Sequence, residues 1–307
     1  MDELRRPFSA RVRSGPSALP PRDGLAAAYC EAAEVAHAVF AAPWRTRSVM
    51  DGFANRRRGP GEADLDPGPA SPAAALAVPD SLFDAFWAIL DGAGSGRSAL
   101  EFTQATAALG GQLDPGFQAA QLAVCREWPG VAEAAAQGWP EPFTLEQLAA
   151  APEGSLASDF HRLIVENGFD LEVLDRDALS LRDLPAPLDY LNARILQVHD
   201  LWHLVGGYRT TGLHEIAISA FQLAQFGHAY SGFVLAVTLA SAAADPTRYA
   251  VLSGVIAAAW RHGRTTPPLL GVDWPSVWSL PLPEVREALG VAAFPSPWPA
   301  DLFERAA

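Results

Sequence analysis

Residues 187–215 constrain this chain more than any other stretch. The run PLDYLNARILQVHDLWHLV, Pro187 to Val205, reads as one helix that ends at Gly206-Gly207. Thr210-Thr211-Gly212 then offers capping chemistry for a second helix beginning near Leu213. On an ideal helix His199 and His203 stand about 40° apart around the axis, and Asp200 lies about 100° from His199 on the His203 side. Ile195, Leu196 and Trp202 share that general face, so the polar cluster points toward packed side chains. A helical turn-back of this length brings Glu215 opposite the histidine pair. An i,i+4 histidine pair by itself is more often a capping or core hydrogen-bonding feature than a metal site. Two carboxylates added to two buried imidazoles change that balance, because such a group is costly without a compensating cation. The set His199, Asp200, His203 and Glu215 suits zinc, or ferrous iron in a two-histidine, one-carboxylate form with open positions.

The rest of the chain reads as helices of modest length. Apolar residues make up 50% of the 307, enough for a sizeable core, while 26 prolines and 25 glycines interrupt it often. Strand-like alternation is scarce and no internal repeat is present. Residues 24–42 have helical composition, and 54–80 form a Pro/Arg-rich connector that holds Arg56-Arg57-Arg58. Beyond it come LFDAFWAIL, ALEFTQATAAL and a segment opened by Asp114-Pro115. Thr144 to Gln147 fits a capping box, Pro187 suits a first helical turn, and Asp245-Pro246 and Pro283 open two later helices. Gly168, Gly206, Gly263 and Gly290 fall where left-handed helix stops are expected. The expected architecture is all-α: an N-terminal helix and connector over 1–80, then a single multi-helix domain over 81–307 with the metal site between two helices.

Composition excludes several classes of function. A net charge of −13 with no basic stripe argues against a nucleic-acid surface. All 22 basic residues are arginine, as in a GC-rich, bacterial genome, so no lysine is present for Schiff-base chemistry and an anionic substrate falls to arginine. Cys30 and Cys125 lack disulfide or metal spacing and read as buried thiols. The N-terminus has no apolar run of signal-peptide length, which suggests the cytoplasm. Ile216 to Ala244 carries no formal charge, but Gln222, Gln225 and His228 interrupt its first half. The remaining apolar part is too short to span about 30 Å of hydrocarbon. A buried core helix is expected instead.

The interval His199-Asp200-x-x-His203, eleven residues, Glu215 resembles the motif of the Coq4 family of ubiquinone-biosynthesis proteins. Flanking text is similar too: LAAAPEGSLASDFHRLIVENGFD before the motif, DYLNARILQVHDLWH leading into it, and AWRHGRTTPPLLGVDW with LPEVREALGV after it. The resemblance runs from about Phe143 to Val291. EGSLAS departs from the family's usual text, and the first 80 residues look unrelated to it. The resemblance implies an all-helical, membrane-peripheral protein that binds a polyprenylated hydroxybenzoate-type ring. It implies removal of the C1 carboxylate, with C1 hydroxylation in the oxidative version, and association with other quinone-biosynthesis proteins.

The residues fit that chemistry. A divalent ion held by His199, His203 and Glu215 meets a carboxylate or phenolate oxygen, and Asp200 is either a fourth ligand or the proton-handling group beside His203. Arg209, Tyr208 and Arg194 are candidate carboxylate clamps, although Arg194 projects roughly 140° from His199. His214 is a candidate substrate or orienting contact. His37, His161 and His262 read as ordinary surface or core histidines. The 216–244 helix is either the wall of a prenyl tunnel or plain packing. Two other functions compete: a non-catalytic prenyl-lipid-binding scaffold, and a zincin-like hydrolase with Asp200 as base, which a side chain one methylene shorter than glutamate disfavours. A homodimer is expected from the apolar surface such a chain must cover.

Overall fold

The computed structural model describes residues 80–93, isolated positions between 101 and 128, and 130–302 apart from 173 and 178. The 24–42 helix, the connector with its arginine triplet, Cys30, His37 and Asp114-Pro115 lie outside the described residues, as does the division near residue 80. Within them the protein is all helical. We number the helices α1 (Asp80–Ala93), α2 (Val131–Ala135), α3 (Leu145–Ala149), α4 (Leu156–Asn167), α5 (Leu188–Gly206), α6 (Gly212–Phe226), α7 (Ala229–Ala242), α8 (Pro246–Thr265) and α9 (Leu282–Leu289). Short 3-10 turns occupy 181–183 and 274–277.

The start and stop signals act largely as the residues suggest. Thr144 and Gln147 close a reciprocal capping box on α3. Asp245 caps α8 by accepting from the amides of Thr247 and Arg248, each at 3.1 Å, with Pro246 in the first turn. Gly168 and Gly290 end α4 and α9 in left-handed conformation. Two glycines behave otherwise. The stop of α5 falls on Gly207, at φ 75°, and Gly206 is the last helical residue. Gly263 stays inside α8, where a Cβ would come within 2.8 Å of the Phe221 carbonyl oxygen, so it permits the close approach of α8 to α6. Pro187 stands just before α5 as its cap and not within its first turn.

The uncharged stretch from Ile216 to Ala244 is not one helix. Gly227, at φ 71°, ends α6 and His228 precedes α7. Among the described residues, no helix is long and apolar enough to cross a membrane.

Trp202, fully buried in α5, determines how α5 meets α6. Its indole packs edge-on against Phe221 and Phe226 of α6, with ring centroids 5.6 and 6.2 Å away. Each such aromatic pair contributes about 0.5–1.5 kcal/mol beyond the area it buries. The C-terminal carbonyls of α5 are satisfied from the end of the domain. Arg286 of α9 donates to Val205 and Leu204 at 2.9 and 2.8 Å, and the Phe294 amide donates to Gly206 at 2.8 Å. A cation at that end also complements the helix dipole.

Candidate metal centre

The last two turns of α5 and the first turn of α6 bring three ligand atoms to one point. His203 Nε2 lies 3.2 Å from His199 Nε2, and the carboxylate of Glu215 spans the pair, with Oε2 3.3 Å from His199 Nε2 and Oε1 3.3 Å from His203 Nε2. Asp200 is farther, with Oδ1 4.0 Å from His199 Nε2, and it completes a group with the two histidines whose ligand atoms all lie within 4.8 Å. Burial grades across the site: His203 is 1% exposed, whereas the Glu215 side chain is 46% exposed and reaches in from the solvent side.

This geometry fits an ion. Zinc bonds of about 2.0–2.2 Å opened to the tetrahedral angle set neighbouring ligand atoms about 3.3 Å apart. The separation of the two imidazole nitrogens, and that of each from its nearer Glu215 oxygen, have that length. Without an ion, two imidazole nitrogens face each other at hydrogen-bond distance while competing for the same carboxylate. Burial opposes ionisation of Glu215, but the two imidazoles outweigh it and hold the carboxyl well below its usual range. Burial likewise opposes charge on His199, and Glu215 and Asp200 outweigh it, raising its pKa.

His199 is held from behind. Its Nδ1 lies 2.6 Å from Gln222 Nε2, the hydroxyl of Ser231 donates to Gln222 Oε1 at 3.0 Å, and His228 Nδ1 lies 2.9 Å from that hydroxyl. His203 has no counterpart: its Nδ1 is buried without a hydrogen-bond partner among the described residues. Gln222 stands seven residues after Glu215, two turns along the same face of α6, and that spacing is the signal by which the sequence could have placed it behind the site.

The remaining expected site residues divide. Tyr208 and Arg209 line a groove of about 410 Å³ beside His203, together with Leu163, Leu204, Thr210 and Thr211. Tyr208 contributes its ring, because its hydroxyl sits 2.7 Å from His262 Nδ1. His262 Nε2 lies 2.9 Å from the carbonyl of Ala292, so the neutral ring donates there and accepts from the tyrosine. His262 is thus the satisfied core histidine expected of it. His214 accepts the Arg209 amide at 2.9 Å and so steadies the turn that carries Arg209. Arg194 is not brought to the candidate ligands. Its Nε donates to the Leu270 carbonyl at 3.0 Å and its terminal nitrogens to Val272 and Gln197, which ties α5 to the 270–272 loop. A side chain on another face of α5 with its donors so engaged is a packing tie and not a carboxylate clamp. Thr211 also differs from expectation: it precedes α6, but its hydroxyl donates to the Ala300 carbonyl at 2.8 Å and caps nothing.

Comparison with known proteins adds a family context. Residues 140–295 match the family model described as coenzyme Q (ubiquinone) biosynthesis protein Coq4. The mitochondrial ubiquinone biosynthesis protein COQ4 homologs of Rattus norvegicus and Homo sapiens are 28% and 29% identical over 157 residues, covering 49% of this chain and 56% of each relative. The chain therefore spans about half the length of the curated relatives it matches. A solved chain from Nostoc punctiforme, provisionally described as a ubiquinone biosynthesis protein, superposes with a TM-score of 0.54 at 25% identity, covering 70% of this chain and 98% of that one.

Proposed function

The chain belongs to the Coq4 family of coenzyme Q (ubiquinone) biosynthesis proteins, and from that premise we propose that it is a metal-dependent decarboxylase. Its substrate is a polyprenylated hydroxybenzoate, from which it removes the C1 carboxylate as carbon dioxide; in the oxidative version, hydroxylation at that carbon takes dioxygen as oxidant and oxygen source. The observation that carries the reading is the triangle of His199, His203 and Glu215 with sides of 3.2–3.3 Å. A divalent ion, zinc or iron, supplies a positive centre that stabilises negative charge developing as carbon dioxide leaves.

The chain's own groups do the rest. His199, His203 and Glu215 would hold the ion, with His203 closing its buried side. Arg209, exposed at the edge of the groove, pairs with an anionic substituent of the ring. Leu163, Leu204 and the ring of Tyr208 supply apolar surface for the aromatic body and the start of its tail. Where no oxidant takes part, the ring carbon that loses carbon dioxide must gain a proton, and Asp200 is the carboxyl beside the ligands that hands it over. The long apolar tail places the protein at a membrane surface, in company with other quinone-biosynthesis proteins.

Elemental analysis of anaerobically purified protein, beside a His199→Ala, His203→Ala double variant, tests the site. Near-stoichiometric metal in the parent and none in the variant is the expected result, and iron specifically would favour the oxidative reaction. Carbon dioxide released from a carboxyl-labelled prenylated 4-hydroxybenzoate tests the activity. Full metal occupancy with no release would leave the ion as a tie between two helices and move the lipid-binding scaffold to first place.

A further inference from the structure

We propose that Gln222 selects the nitrogen with which His199 meets a cation, and that metal binding reverses a hydrogen-bond relay running from His199 through Gln222 and Ser231 to His228. The inference rests on a cation occupying the His199–His203–Glu215 triangle.

Every link of the relay is within hydrogen-bond distance, at 2.6, 3.0 and 2.9 Å, and Gln222, Ser231 and His228 are all buried. Behind His199 the three buried members have little water to turn to, so the direction of one bond dictates the next. In the arrangement observed, the Gln222 amide nitrogen donates to His199 Nδ1. A neutral His199 then carries its proton on Nε2 and donates toward Glu215, 3.3 Å away. The hydroxyl of Ser231 donates to Gln222 Oε1 and accepts from His228 Nδ1.

That direction is incompatible with a cation, because a ligating nitrogen needs its lone pair free. Binding through Nε2 moves the proton of His199 to Nδ1, which must then find an acceptor. Gln222 supplies one by turning its amide over. Its oxygen takes the Nδ1 proton, its nitrogen donates to Ser231, and Ser231 donates to His228 Nδ1, which now carries its own proton on Nε2. Glutamine suits this position because its two ends have opposite polarity at nearly equal size. Serine suits the next because a hydroxyl both donates and accepts. Burial, with a smaller contribution from charge at His199, pushes the His228 pKa down to about 3, so the ring stays neutral and has one donor and one acceptor to exchange. Gln222 and its two supports are positioning residues, since none of them reaches the triangle's centre.

The test is imidazole ¹⁵N spectroscopy of the full-length, histidine-labelled protein before and after zinc addition, with His228 assigned from a His228→Gln variant. The expected result is that zinc shifts His199 and His203 and also switches His228 from its Nδ1–H to its Nε2–H form. In Ser231→Ala, a small change that the buried site can absorb, zinc still shifts the two ligands but leaves His228 unmoved. Gln222→Leu lowers zinc affinity about ten- to a hundredfold in a chelator competition, the usual loss when the group behind a metal-bound imidazole is removed. Gln222→Glu, which keeps an acceptor for Nδ1, restores most of it. A parent in which zinc shifts His199 and His203 while His228 keeps its tautomer overturns the relay and leaves the metal site standing. If zinc shifts none of the seven histidines, the metal reading fails and the relay fails with it.

Discussion

Two histidine pairs lie side by side in this domain and have opposite fates. His199 and His203 point nitrogens at each other and at Glu215 across 3.2–3.3 Å. His262, packed with Tyr208, Phe221 and Phe294, has a partner on each nitrogen, and His214 is edge-on to the same Tyr208 and Phe294 rings while accepting the Arg209 amide. The same residue type therefore converges on a candidate metal position in one place and serves as mortar in the other. What separates them is whether the ring nitrogens converge on one another or on ready-made donors and acceptors. Carboxylate supply decides the same question, since one cluster contains Glu215 and Asp200 and the other contains a tyrosine hydroxyl.

The sharpest way to break that contrast is a pair of alanine variants. His203→Ala should abolish metal binding and decarboxylation while circular dichroism of the metal-free protein stays as in the parent. His262→Ala should keep the metal. It should lose about 1–3 kcal/mol of stability in urea titration for the stranded Tyr208 hydroxyl, and more for the cavity left behind. If His262→Ala lost metal with its fold intact, the two clusters would be one functional unit.

Gly207 carries the chain from one cluster to the other. At φ 75° a Cβ there would stand 2.9 Å from the Ala293 side chain, so Gly207→Ala should cost at least about 1 kcal/mol and weaken zinc binding by loosening the turn between the ligand helices. Equal midpoints for parent and variant in thermal melts would show that the turn adapts freely.

Individual histidines also differ in the sign of their response to acid. His228 and His262 have pKa values lowered by burial, and that of His228 falls from 6.5 to about 3. The unfolded chain takes up a proton near pH 6.5 that folded His228 refuses until about pH 3. Stability from this source is full above pH 6.5 and is lost progressively as the pH falls through that window. His199 is shifted the other way, so its contribution is present at low pH and fades as pH rises through its raised value. Metal-free protein should therefore have a lower urea midpoint at pH 5.5 than at pH 7.5, with a narrower gap in His228→Asn; an unchanged gap would show that His228 is not the group responsible. The smallest effect belongs to Arg209→Gln, which should raise the substrate KM a few-fold without altering metal content. An unchanged KM would place the anionic end of the substrate elsewhere.

Much of the site was legible along the chain because its geometry is local. His199, Asp200 and His203 lie on one helix, whose periodicity sets their angular separation, and Glu215 follows after a turn marked by Gly206-Gly207. The capping residues Thr144, Asp245 and Gly168 act within a few positions of themselves and were equally readable. The single 216–244 helix was misread because Gly227 looks like any other small residue in an uncharged run, and only its left-handed conformation shows the break. Arg194 was misread because its partners are carbonyls 76 and 78 residues away.

By itself the sequence determined the all-helical class and the grouping of His199, Asp200 and His203 on one helix, since both follow from periodicity and residue chemistry within short windows. The tertiary structure alone decided which atoms converge and which are already engaged. Trp202 docked on Phe221 and Phe226 brings Glu215 to the histidines, and His262 claims the Tyr208 hydroxyl from 54 residues away. Those outcomes depend on packing between helices, where no spacing rule along the chain couples one residue to another.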